Sequence, residues 1–324
     1  MNEHELLVVK NLKKYFPIKK RLLDREQKCV KAVDDISFSL NHGETLGLVG
    51  ESGCGKSTVG RTILRLLEPT EGSVCFEGVD LCALKENELR EKRKDFQIIF
   101  QDPFSSLDSR FRIEQTLKEP MQIQKMYSSK KEMDAQVAEL MNMVGLRLDY
   151  ANRYPHEFSG GQRQRINIAR ALAVQPKLIV CDECVSALDV SIQAQIINLL
   201  VRLRREMGLA YLFISHDLRV VKHISDRIAV MYLGALVEIS TKDEIFSHPA
   251  HPYTKSLLSA VPSTDPTVKK ERILLSGDIP SPINTPNGCR FHTRCYKAKK
   301  ICEEQSPELT DLGGNHCCAC FFPE

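Results

Sequence analysis

The sequence predicts an α/β protein built around a phosphate-binding loop, and two observations carry that prediction. Short apolar runs ending in glycine or acidic residues, as buried parallel strands do, are spaced by stretches with helical periodicity. The first of them, Thr45-Leu46-Gly47-Leu48-Val49, leads straight into Gly50-Glu51-Ser52-Gly53-Cys54-Gly55-Lys56-Ser57-Thr58. That segment fits G-x-x-x-x-G-K-S between a strand and a helix.

Taken in order, residues 5–16 and 30–40 alternate apolar and polar and read as strands, split by a basic linker around Lys19-Lys20-Arg21. After the loop a helix is expected from Gly55 to about Leu67, stopped by Pro69, and then a strand at 73–78. Residues 102–157 are polar and mostly helical, with an amphipathic stretch at Met133–Val144. A helix should run from Ser159 to about Val174, with Ile166, Ala169, Leu172 and Ala173 on its apolar side and Arg163, Arg165 and Arg170 elsewhere. Leu178–Cys181 and Tyr211–Ser215 read as buried strands, and Asp189–Arg205 between them places Ile192, Ile196 and Leu200 at helical spacing. Residues 228–239 read as a hairpin turning near Gly234. Pro262, Pro266, Pro280, Pro282 and Pro286 leave little room for regular structure in 261–288.

The 324 residues suffice for one full domain and a smaller one. Lys+Arg 45 against Asp+Glu 42 leaves a net charge of +3, too balanced to argue for nucleic acid. No apolar run approaches the roughly 20 residues of a membrane-spanning helix, and MNEHELLVVK lacks the pattern of a signal peptide. A cytosolic chain is expected, where disulfides are rare. Of 12 cysteines, six are scattered over residues 1–288 and read as small buried hydrophobes, while six crowd into 289–320.

The loop glycines let backbone N–H groups close around phosphates, Lys56 reaches the β- and γ-phosphates, and Ser57 can ligate Mg²⁺. Leu178–Glu183 is an apolar strand ending in two carboxylates: Asp182 suits Mg²⁺, mostly through water, and Glu183 suits the base that polarises an attacking water. Two adjacent acids after a strand are also common in a solvated turn, and it is the upstream loop that favours the catalytic reading. Ser159-Gly160-Gly161-Gln162 fits a capping box. By itself that marks an ordinary helix start. Its free N–H groups and two glycines also make it a candidate second anion site.

GESGCGKST, FSGGQRQR, LIVCDE, SALD at Ser186–Asp189 and ISHD at Ile214–Asp217 follow one another in the order found in ABC-type ATPases. Over residues 5–240 the chain resembles that family. The resemblance implies a RecA-like core with an antiparallel β subdomain and a helical subdomain at about 102–175. It implies that two such domains sandwich ATP head to tail, the loop of one facing the SGGQ of the other. By position, Gly50, Ser52, Gly53, Cys54, Gly55, Lys56, Ser57 and Thr58 take the phosphates, and Tyr15 stacks on adenine. Gln101 touches Mg²⁺ and the attacking water, His216 contacts the γ-phosphate, and Asp189 lies at the dimer interface. Ser159, Gly160, Gly161 and Gln162 meet the partner's nucleotide. The chain departs from the family at Phe158, where leucine is commoner, and at Cys184, where proline is common; neither change removes a phosphate or Mg²⁺ contact.

The tail narrows the resemblance. FSHPAHPYTKSLLSAVP at 246–262 is similar to the C-terminal extension of ABC ATPases that energise oligopeptide and dipeptide importers, with His251-Pro252-Tyr253-Thr254 as its core. RYPHEFSGGQRQR at 153–165, SALDVSIQAQIINLL at 186–200 and YLFISHDLRVVKHISDRIAVMYLG at 211–234 point to the same subfamily, nearest its F-type subunit. The expected division is an ATPase domain at 1–245 and a small irregular cysteine-rich extension at 246–324. Cys289, Cys295 and Cys302 space as C-x5-C-x6-C before a distant fourth cysteine, a segment that in related chains is associated with a four-iron four-sulfur cluster. Aligning His316-x-x-Ala-Cys favours Cys320 as the fourth ligand, with Cys317 and Cys318 as alternatives. The spacings are wider than structural zinc knuckles, though zinc and unligated thiols remain alternatives. Implied partners are a second ATPase subunit, two membrane permeases and an extracytoplasmic peptide-binding protein, with this chain peripheral on the cytoplasmic face and Asp102–Arg112 docking a permease. A nickel or other small-solute importer would share this ATPase. A soluble ABC ATPase acting on ribosomes or DNA would show tandem domains or sustained heptads, which are lacking here.

Overall fold

The structure, a computed structural model, describes residues 4–18, 28–261 and 272–324. The basic linker Lys19-Lys20-Arg21 and the prolines Pro262 and Pro266 lie outside the described residues.

Strands are β1 (Glu5–Pro17), β2 (Cys29–Asn41), β3 (Thr45–Val49), β4 (Glu71–Phe76), β5 (Val79–Asp80), β6 (Phe96–Ile99), β7 (Leu178–Asp182), β8 (Ala210–Ile214), β9 (Arg227–Tyr232), β10 (Ala235–Thr241), β11 (Thr310–Asp311) and β12 (Cys317–Cys318). Helices are α1 (Lys56–Ile63), α2 (Glu86–Lys92), α3 (Ile113–Ile123), α4 (Lys130–Met143), α5 (Gly160–Leu172), α6 (Val190–Met207), α7 (Leu218–Ile224), α8 (Lys242–Ser247), α9 (Pro252–Ser259) and α10 (Lys300–Glu304).

The chain packs as two compact units. One holds Met1–Leu40, Thr45–Cys82 and Ile214–Glu324; the other holds Asn41–Glu44 and Ala83–Phe213. In the first, β2-β1-β4-β5 form a small sheet whose β1–β4 and β4–β5 pairs are antiparallel, and β11-β12-β10-β9-β3 run side by side. The loop strand β3 is fully buried and pairs parallel with β9, Leu46 opposite Arg227 and Val49 opposite Val230. In the second unit the strand order is β8-β7-β6, with Phe96 opposite Leu178 and Ile99 opposite Cys181 in the parallel pair. Every residue of β7 and β8 is buried. Continuous apolar runs are what parallel strands need when both faces are covered.

Several expectations shift at their edges. Helix α1 ends at Ile63 rather than near Leu67, because Arg65 turns through the left-handed region, φ 48°. The strand expected at 73–78 is Glu71–Phe76, because Glu77 and Gly78, φ 47° and 80°, form the turn into β5. The scattered cysteines divide: Cys54, Cys181 and Cys184 are buried, whereas Cys29, Cys75 and Cys82 are only partly so. Cys29 and Cys75 sit on strands of the small sheet, which has a solvated face.

Candidate functional site

In the first unit the phosphate loop joins β3 to α1. Gly55 sits at φ 105°, and a Cβ there would lie 1.9 Å from the Ala32 carbonyl oxygen, so only glycine fits. It precedes α1 without a side-chain cap, which leaves the first N–H groups of that helix to the loop. Lys56 is almost wholly buried, and its Nζ donates to the Gly50 and Glu51 carbonyls at 2.9 and 3.0 Å. A buried ammonium inside a ring of backbone dipoles is the arrangement that neutralises polyphosphate.

Two further expected site residues, His216 and Tyr15, lie in this unit. The exit of β8 is tied to the loop strand by Ser215 N donating to Leu48 O, 3.2 Å, which places the exposed His216 one residue on. Asp217 then caps α7, accepting from Arg219 N at 2.8 Å. Tyr15 stands on β1 with its hydroxyl donating to Asp34, and its backbone N–H donates to Thr70 Oγ1 at 2.9 Å. Burial, with that carboxylate next, pushes the Tyr15 phenol well above its ordinary value.

In the second unit Asp182 closes β7, 1% exposed. Glu183 follows at φ 49°, a left-handed conformation uncommon for a long side chain. Gln101 Nε2 donates to Glu183 Oε2 at 3.1 Å, while Ser186 Oγ returns a bond to the Glu183 carbonyl at 2.9 Å. The structure thus brings Gln101, Glu183 and Ser186 together. Ser159 Oγ accepts from Gln162 N at 3.4 Å and Gln162 Oε1 accepts from Ser159 N at 3.1 Å, closing the capping box of α5. Ser159 is exposed. A Cβ on Gly161 would lie 2.5 Å from Ile192 Cγ2, so α6 approaches this turn too closely for a larger residue. Asp189, exposed, precedes α6 without a side-chain cap.

The cysteine-rich tail also belongs to the first unit. Cys289, Cys295, Cys302 and Cys320 line one small cavity together with His251, Phe291 and Phe322; Cys317 and Cys318 do not line it. Cys318 instead faces Glu238 across β12 and β10. Burial, reinforced by the neighbouring thiols, pushes Cys289 up to about 11, and Cys295 and Cys320 are raised for the same first reason. Among the described residues no three His, Cys, Asp or Glu side chains converge so as to hold a single metal ion.

Sequence reasoning missed three residues that bind the tail to the loop and to Tyr15, namely Asp34, Arg290 and Arg294, and quoted Tyr253 only as part of the extension's core. Arg294 donates to both Glu51 oxygens, at 2.8 and 3.2 Å. The only signal was that both arginines lie between two cysteines already singled out.

A buried strand, a glycine loop around a lysine and a helix define a phosphate-binding-loop nucleotide-binding protein. The ABC transporter family model matches residues 33–186, and the model of the oligopeptide/dipeptide transporter C-terminal region matches residues 237–302. The chain is 56% identical to the oligopeptide transport ATP-binding protein AppF of Bacillus subtilis, over 99% of this chain and 98% of that one. It is 53% identical to OppF of Salmonella typhimurium, covering 94% and 92%, and 49% identical to the dipeptide transport protein DppF of Haemophilus influenzae, covering 98% and 96%. Among solved structures, a post-hydrolysis dimer of the ATP-binding cassette MJ0796 bound to ADP and Pi superposes with a TM-score of 0.65 at 28% identity, covering 73% of this chain and 98% of that one. The chain belongs to the oligopeptide/dipeptide group of ABC transporter ATP-binding proteins, and it is an ABC-type ATPase.

Proposed function

We propose that this chain is the ATP-hydrolysing subunit that powers import of oligopeptides or dipeptides through a membrane ABC transporter. One observation carries the reading: a nucleotide cassette and an oligopeptide/dipeptide-type C-terminal region occur in one chain, at 49–56% identity to peptide-transport ATPases over nearly its whole length. Functionally the division falls near residue 245, with ATPase before and extension after.

Each residue's role is the one that its place in the family's motifs implies. Gly50 through Thr58 take the phosphates, with Lys56 at the β- and γ-positions. Ser57 and Gln101 would hold Mg²⁺, with Asp182 reaching it through water. Glu183 accepts a proton from the water that attacks the γ-phosphorus, and ADP leaves with its β-oxygen as the bridging P–O bond breaks. His216 contacts the γ-phosphate and Tyr15 stacks on adenine. Ser159, Gly160, Gly161 and Gln162 bind the γ-phosphate held on a partner subunit's loop, with Asp189 at that interface. ATP binding closes the dimer and hydrolysis opens it. The segment Asp102–Arg112 docks a permease, a role that suits its exposed Phe104 and Phe111. The partners are a second ATPase subunit, two permeases and an extracytoplasmic peptide-binding protein, and the chain is peripheral on the cytoplasmic face. Uptake of a labelled peptide, competed with a dipeptide, a longer peptide and Ni²⁺, tests the substrate class: peptides compete, and competition by Ni²⁺ alone overturns the reading.

Cys289, Cys295, Cys302 and Cys320 would hold a four-iron four-sulfur cluster. Four thiols lining one cavity suit that donor set, and their sequence spacings are wider than those of structural zinc knuckles. Thiols that burial keeps protonated release those protons on ligation. When bound, the cluster supplies a cross-link and a redox centre. Anaerobically purified chain should be brown and absorb near 400 nm; colourless protein with one equivalent of zinc contradicts the assignment.

A further inference from the structure

Cys289-Arg290-Phe291-His292-Thr293-Arg294-Cys295 carries two arginines whose side chains leave the cysteine cavity and end on nucleotide elements. Arg294, its side chain 9% exposed, grips Glu51 through a bidentate pair at 2.8 and 3.2 Å. The backbone N–H of Glu51 donates to the Tyr253 hydroxyl at 2.9 Å. Arg290 donates to Asp34, the acceptor of the Tyr15 hydroxyl, and to the Leu233 carbonyl. Between the arginines Phe291 is 1% exposed and packs against Tyr232 and Tyr253, each at 5.3 Å between ring centroids. The segment is therefore anchored, and its two arms reach the phosphate loop and the candidate adenine-stacking ring.

We propose that Arg294 and Arg290 are positioning residues for ATP. Arg294 sets the phosphate loop through Glu51, Arg290 sets Tyr15 through Asp34, and the cysteine-bearing segment thereby tunes nucleotide affinity. This rests on reading Gly50–Thr58 and Tyr15 as the ATP site. Glu51 carries a carboxylate within the loop that must accept a polyanion. Paired with a guanidinium fork it is neutralised; unpaired, it repels the phosphates. Arg290 meets the base end through Asp34 and the loop only at one remove, through Leu233 and the Gly234 N–H that donates to Cys54 O, so its loss should cost a ligand with a base more than one without.

The test is equilibrium binding of AMP-PNP and of inorganic triphosphate, both with Mg²⁺, to the full chain. Arg294→Ala should weaken both ligands by about tenfold, with Arg294→Lys partly restoring them, since lysine returns the charge without the fork. Glu51→Gln added to Arg294→Ala should recover most of the loss, because the unpaired carboxylate is gone; a merely structural role predicts no recovery. Arg290→Ala should weaken AMP-PNP more than triphosphate; an equal loss of both contradicts its assignment to the base end. The comparison variant is Glu324→Gln, which loosens the tail at Lys255, Tyr296 and Lys297 without touching these residues. An equal loss in Glu324→Gln, or wild-type binding in Arg294→Ala, overturns the proposal. Lys56→Ala separates the two readings: if it still binds AMP-PNP as wild type does, the loop assignment itself is wrong.

Discussion

Glu183 shows at the scale of one residue how sequence becomes chemistry. The buried strand β7 ends at Asp182, and the next residue turns through φ 49°. A left-handed glutamate costs backbone energy, of order 1–3 kcal/mol, and persists only where surrounding bonds enforce it. Here Ser186 bonds its carbonyl and Gln101 its carboxylate. Glu183→Gln should abolish steady-state hydrolysis while ATP binding survives, measured as phosphate release beside nucleotide binding; unchanged turnover contradicts a base at this position. The acid pair was legible because an apolar run announces the strand. The Gln101 contact was not, since 82 positions separate the partners and no local pattern links them.

At the scale of elements, local rules served best where the bonds are local. The capping box at Ser159–Gln162 is a four-residue device, and α5 begins where it says. The tail follows the opposite logic. Helix α9 is capped by His251, whose buried ring Nδ1 accepts from Tyr253 N at 3.1 Å. Buried Glu238, on β10, accepts from Ala250 N at 2.7 Å, His251 N at 3.0 Å and His316 at 2.7 Å. Such ties span up to 78 positions, so spacing alone cannot announce them. Burial depresses His251 to about 3, which keeps it neutral in the folded chain. The unfolded chain therefore binds the extra proton between about pH 6.5 and 3, and folding stability falls on acidification through that window by at most about 1.4 kcal/mol per pH unit. Urea midpoints at pH 7.5 and 5 should drop less in His251→Asn than in wild type; an equal drop removes His251 as the cause.

At the scale of the whole molecule, the chain joins a nucleotide cassette to a tail that the cassette's chemistry does not itself require. Among the described residues no helix is long and apolar enough to cross a membrane. The proposed peptide reading is a statement about an assembly, with permeases as the proposed partners. Length, charge and motif order were enough to identify the ATPase, because five motifs in sequence constrain one another. The tail's grip on the phosphate loop was hidden, because Glu51 and Arg294 stand 243 positions apart. The most direct test of the peptide reading is labelled-peptide uptake by cells lacking the endogenous chain, complemented with wild type or Glu183→Gln. Wild type should restore uptake that unlabelled peptides compete away, and Glu183→Gln should not. Restoration by Glu183→Gln, or uptake indifferent to peptide and blocked by Ni²⁺, would contradict the account.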